Sequence, residues 1–137
     1  MAKKQVSKAL LRIKKIKKQT ERKYTSGKVY VTATFNNTLV TLTDASGNTL
    51  AWGTSGSSGF KGARKATPFA AISAMEKVAQ KIKEFGISSV EVYIKGPGTG
   101  RDATVKALRG AGISITMLAD ITPIPHNGPR PKKRRRV

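Results

Sequence analysis

The sequence predicts a mixed α/β domain set between two strongly basic ends, and three observations predict it. Apolar residues alternate at period two across 28–35 and 90–94, a capped apolar repeat at helical spacing follows Thr67-Pro68, and the cations crowd outside the stretch that carries these patterns.

The first strand is read over Lys28–Phe35, with Val29, Val31, Ala33 and Phe35 on one face and Tyr30, Thr32 and Thr34 on the other. Asn36-Asn37 signals a turn, Thr38–Asp44 is a second β-branched run, 45–48 is another turn, and Thr49–Trp52 is a third strand. A helix then opens on Thr67 as N-cap and Pro68 at its first position. It carries Phe69, Ile72, Met75, Val78, Ala79, Ile82 and Phe85 as an apolar stripe and stops at Gly86. Val90, Val92 and Ile94 mark a fourth strand. After a glycine loop, a second helix spans about Arg101–Arg109, ended by Gly110 and Gly112. Ile113–Asp120 is the fifth strand, and Pro123 and Pro125 forbid its continuation within a ladder. The order β-β-β-α-β-α-β implies a mixed five-stranded sheet whose last strands are parallel, with helices packed on it.

A chain of 137 residues can bury a core without disulfides or metal, and with no cysteine it can form neither a disulfide nor a zinc finger. Its 27 Lys+Arg against 7 Asp+Glu give a formal charge of +20, which calls for a polyanionic partner. Residues 1–23 hold ten cations and one acid, and residues 126–137 hold six cations. The expected organisation is therefore a basic flexible extension at 1–24, an α/β core at 25–122 and an extended basic RNA-binding tail at 123–137, the ends ordering on their ligand. No run approaches the roughly 20 apolar residues of a membrane span. Val6, Ala9, Leu10, Ile13 and Ile16 recur at helical spacing, but that face is short and lacks an aromatic, so no membrane partner is expected. A cytoplasmic or organellar location is the expectation.

Three segments can carry recognition. In the loop 53–66, Gly59 and Gly62 permit close backbone approach, Phe60 offers a stacking face, and Lys61, Arg64 and Lys65 supply charge for phosphate. In Gly96-Pro97-Gly98-Thr99-Gly100-Arg101, between strand and helix, Gly96, Gly98 and Gly100 bring backbone N–H groups toward a phosphate at a helix N-terminus, and Arg101 adds charge. A dinucleotide fingerprint is the rival there, but its third glycine falls on Arg101, and no Walker sequence follows, so neither a cofactor nor a small-molecule substrate is expected. The tail offers His126, Asn127, Arg130, Lys132, Lys133, Arg134, Arg135 and Arg136, kept extended by prolines. A nuclear address in that run is the weaker reading. His126, the sole histidine, has no companion ligand for a metal, and Asn127-Gly128 is a candidate site of isoaspartate formation. For a metal nuclease the acids that could converge are Asp44, Asp102 and Asp120, each better explained as a turn or helix-end residue, so no enzyme is expected.

Five segments occur together and in order: Phe35-Asn36-Asn37-Thr38, Gly59-Phe60-Lys61-Gly62, Thr67-Pro68-Phe69-Ala70-Ala71, residues 94–103 and Asp120-Ile121-Thr122-Pro123-Ile124-Pro125-His126-Asn127-Gly128. Over about residues 25–137 the chain resembles the family of ribosomal protein eleven of the small subunit, in its bacterial or organellar branch. The resemblance implies a single three-layer domain of ribonuclease-H-like topology without the nuclease site. It implies a structural constituent of the small-subunit platform that bridges rRNA helices and helps form the cleft for the Shine–Dalgarno pairing with mRNA. It also implies small-subunit proteins seven and eighteen as neighbours, with initiation factor three near by. The generic alternative is a basic, chaperone-like RNA binder.

Overall fold

The computed structural model describes residues 24–136, so the expected 1–24 extension lies, but for Tyr24, outside the described residues. In chain order the elements are β1 (Ser26–Ala33), β2 (Thr38–Thr43), β3 (Thr49–Thr54), a 3-10 turn (Gly62–Ala66), α1 (Pro68–Glu84), β4 (Ser89–Lys95), α2 (Gly100–Gly110) and β5 (Ser114–Asp120). This is the expected α/β order. One mixed sheet runs β3-β2-β1-β4-β5, with β1–β2 and β2–β3 antiparallel and β1–β4 and β4–β5 parallel.

Alternation decides the strands: Val29, Val31 and Ala33 of β1 and Val90, Val92 and Ile94 of β4 are buried, while Tyr30, Thr32, Glu91 and Tyr93 between them are only half-buried. The buried face meets α1 and α2 in one cluster that includes Val40, Leu42, Met75, Val78, Ile82 and Leu108. Burial of that apolar area drives the fold.

Two expectations need correction. β1 starts earlier and ends at Ala33, because the Thr34 hydroxyl accepts the Asn37 N–H at 3.1 Å and the Thr34 N–H donates to the Asn37 carbonyl at 2.9 Å. That local turn outcompetes the ladder and leaves Phe35 74% exposed rather than on the core face. In α1 the Thr67 hydroxyl caps the Ala70 N–H and Pro68 opens the helix as expected. Its buried stripe, however, runs through Ala70, Ala71, Ala74, Met75, Val78, Ala79 and Ile82, and Phe69 is 67% exposed. The cause is close approach: a Cβ on Gly53 of β3 would sit 2.9 Å from the Ala74 carbonyl oxygen and 3.2 Å from Val78 Cγ2. A helix that near the sheet fits alanines beneath it and turns its larger first-turn residue outward.

Candidate nucleic-acid interface

The topology sends all five segments that the sequence singles out to one end of the sheet. β1, β4 and β5 are parallel and finish there, β2 starts there and β3 ends there, so the segments at 34–38, 53–67, 96–100 and 121–128 all emerge along that end, 53–67 from the β3 edge and 121–128 from the β5 edge. Both helices also begin at this end, which adds the positive poles of two dipoles. The carboxyl ends of parallel strands are where open α/β sheets bind ligands. Asp44 lies at the opposite end, where its carboxylate accepts the Asn48 side-chain amide and the Asn48 N–H, bonds that hold its pKa down. The three acids weighed for metal therefore do not converge.

The 53–66 loop is built rather than slack. The Ser57 hydroxyl accepts the Thr54 N–H at 2.9 Å, and the Thr54 hydroxyl accepts the Ser57 N–H at 2.9 Å. Lys77 of α1 donates to the Ser57 carbonyl at 2.7 Å, a prop with no local signature in the sequence. Gly59 and Gly62 have positive φ (97° and 59°) and face open space, a backbone that favours glycine. Lys61 and Arg64 are exposed and Lys65 is half-buried. Phe60 meets Phe69 edge to face at 5.8 Å, which leaves the exposed Phe69 as an aromatic surface beside the cations. Phe69 was expected in the core, so sequence reading missed it here.

In the 96–100 loop the fold itself requires the glycines, a role the sequence reading did not name. Gly98 donates to the Ala33 carbonyl at 2.9 Å, and a Cβ on Gly96 or Gly98 would drive into the Ala33 or Thr34 carbonyl oxygen. Gly98 and Gly100 are buried, Gly100 against Thr38 and Ala71. Their missing side chains serve the fold and so aim the start of α2. That start lacks a side-chain cap, since Thr99 instead donates to the Ala66 carbonyl at 2.8 Å.

Arg101 is engaged within the chain. Its guanidinium donates to the Gly96 carbonyl at 2.6 Å and pairs with Asp120 at 2.5 Å. Asp120 also accepts the Thr122 hydroxyl at 2.6 Å and the Thr122 N–H at 3.0 Å. The Thr122 bonds first, and Arg101 second, hold this carboxyl well below the usual carboxylate range. Gly96 N–H donates to the Thr122 hydroxyl at 3.1 Å and Ile121 N–H to the Ile94 carbonyl at 2.8 Å. The clasp fixes where the tail leaves the domain. Beyond it His126, Asn127, Arg130 and Lys132 through Arg136 are exposed, without helix or strand. Among the described residues the ion pairs are Lys81–Glu84 and Arg101–Asp120, which leaves Lys61, Arg64, Lys65 and the tail cations without an acidic partner. An extended phosphate backbone is the kind of ligand that would supply the charge they lack. No cluster of metal-ligating side chains occurs among the described residues.

The sequence pattern of the family described as ribosomal protein S11 matches residues 27–136. A similar protein is the small ribosomal subunit protein uS11 of Buchnera aphidicola subsp. Cinara cedri (strain Cc). It is 56% identical over 121 residues, which cover 88% of this chain and 93% of that protein.

Proposed function

The chain belongs to the ribosomal protein S11 family and is a structural, non-enzymatic protein of the small ribosomal subunit, and from that premise we propose that the strand-end surface and the basic tail bridge separate helices of small-subunit rRNA. The observation that carries this reading is that all five segments singled out in the sequence lie at one end of the sheet. There Lys61, Arg64 and Lys65, with no acidic partner among the described residues, precede the start of α1 and the exposed Phe69. Lys61, Arg64, Lys65, Arg130 and the run Lys132 to Arg136 neutralise phosphates. Phe69, braced by Phe60, stacks on an unpaired base. Gly59 and Gly62 let RNA approach the loop, and His126 and Asn127 offer hydrogen bonds. Arg101 acts chiefly through the clasp that aims the tail. Recognition reads the shape of folded RNA more than its sequence.

In this reading the protein sits on the subunit platform, lines the cleft for the mRNA Shine–Dalgarno pairing, and works beside small-subunit proteins seven and eighteen with initiation factor three near by. It acts on cytoplasmic or organellar ribosomes. No helix among the described residues is long and apolar enough to cross a membrane. Ultraviolet cross-linking of the full chain to a small-subunit rRNA central-domain fragment, read by peptide mass spectrometry, tests the surface. Cross-links are expected within 59–69 and 126–136. Cross-links confined to the opposite end, around Asp44–Asn48, would overturn it.

A further inference from the structure

The second face of the sheet has a different character from its RNA-facing end. In register across it lie Trp52, Thr41, Tyr30, Tyr93 and Ala119, one from each strand. Trp52 is 64% exposed, and Leu39 and Met117 beside this row are 39% and 41% exposed. Neither helix packs here, since α1 and α2 pack on each other and share the cluster on the other face. Parallel strands such as β1, β4 and β5 are ordinarily covered on both faces, most often by helices.

The chemistry of this face argues against RNA. Among the described residues its strand cations are Lys28 and Lys95, and Lys28 lies directly opposite Glu91, so the strands themselves leave this face nearly neutral. Glu91 would repel a phosphate. Tyr30 and Tyr93 stack on each other at 5.2 Å with 15° between their planes, and the Tyr93 hydroxyl donates to Glu91 at 3.0 Å. Each ring turns one of its faces to the other and both are half-buried, which leaves less ring area for bases than a single-strand RNA platform offers. Exposed Trp52, Leu39 and Met117 around a half-buried tyrosine pair, with little charge, are instead closer to the composition of a protein-interface core.

We propose that this second face, centred on Trp52, Leu39 and Met117, docks a partner protein that lays an amphipathic, nearly uncharged helix across it, while rRNA is confined to the strand ends. The inference rests on the reading that the chain works among other small-subunit proteins on rRNA. Near-neutral charge on the strands of this face matches an apolar polypeptide surface, and the helix supplies a layer on the face that α1 and α2 leave free. The chain is then a joint, holding RNA at one end of its sheet and protein on its flank.

Side-chain oxidation footprinting with peptide mass spectrometry tests this at Trp52 and Met117, with Phe69 as the rRNA reporter. Three states are compared: the free full chain, its complex with the central-domain rRNA fragment, and the small subunit reconstituted from rRNA and its full set of proteins. The expected result is several-fold protection of Phe69 in both complexes, and of Trp52 and Met117 only in the reconstituted subunit. Protection of Trp52 by rRNA alone would overturn the inference in favour of an RNA face. Equal oxidation of Trp52 in all three states would overturn it outright. Loss of Phe69 protection with Trp52 still protected in the subunit would instead sink the rRNA surface proposed above. Trp52→Lys is a second arm, expected to leave binding to the rRNA fragment unchanged and to reduce retention in the reconstituted subunit. Equal retention would contradict the proposal.

Discussion

Thr99 donates a 2.8 Å hydrogen bond to the carbonyl of Ala66, thirty-three residues earlier, and so ties the start of α2 to the last residue before the α1 cap. The two glycine-bearing loops that sequence alone offers as separate candidates are thereby parts of one surface. Gly98, bonded to Ala33, ties the same surface to the end of β1. A rigid platform of this kind loses little conformational freedom when it binds, which favours recognition of a fixed RNA shape.

The glycines of the two loops separate by what surrounds them. Gly59 has positive φ and open space, so Gly59→Ala should cost about 1–2 kcal/mol of stability, the strain of the backbone alone. Gly96 has the same φ of 97° but faces the Ala33 carbonyl. Gly96→Ala should therefore cost about 4 kcal/mol or more, since strain and overlap add. Denaturant unfolding of the two variants checks the difference, and equal losses would contradict it.

Asp120 should make stability depend on acid pH. Its carboxyl is held below its ordinary value of 3.8, so the stabilisation is fully present above that value and is lost as pH falls through the lowered folded value. Asp120→Asn should unfold at lower temperature than the parent at neutral pH, with the gap closing as the solution is acidified. A gap that stays constant would show that the charge of Asp120 is not what holds the clasp.

Phe69 separates binding from folding. Because its ring is 67% exposed, Phe69→Ala should move the thermal midpoint little, while rRNA affinity should fall by about 1–3 kcal/mol if a base stacks there. Unchanged affinity would remove the stacking interaction.

Asn127 has φ of 55° and is followed by Gly128 in an exposed segment. Attack of the Gly128 amide nitrogen on the Asn127 side-chain carbonyl expels ammonia and gives a succinimide, which water opens to isoaspartate or aspartate. Aged free protein should gain isoaspartyl groups at this position, and Asn127→Ala should gain none there. Peptide mapping that finds intact Asn127 after ageing would contradict the expectation.

The order of elements was legible because local chemistry and tertiary context agree: Thr67 and Pro68 open α1, and Val29, Val31, Val90 and Val92 alternate into the core. The exceptions are places where another interaction decides. Phe35 fits the alternation, yet the Thr34 turn removes it from the strand. Phe69 fits the helical stripe, yet the closeness of Gly53 to Ala74 hands the core to alanines. At the site, the cations and glycines could be named from the sequence, but the partners of Gly98 and Arg101 could not. Ala33 and Asp120 lie far from them in the chain and meet them only once β1, β4 and β5 are aligned.

Binding of the full chain to a small-subunit rRNA central-domain fragment across a salt series, with bulk tRNA as competitor, tests the central claim most directly. The account predicts preference for the fragment and a steep salt dependence. In the triple variant Arg134→Ala, Arg135→Ala, Arg136→Ala, the slope should fall by about 0.7–0.9 for each phosphate that is no longer neutralised. Equal affinity for tRNA, or a slope unchanged in the triple variant, would contradict a shape-specific rRNA surface extended by the basic tail.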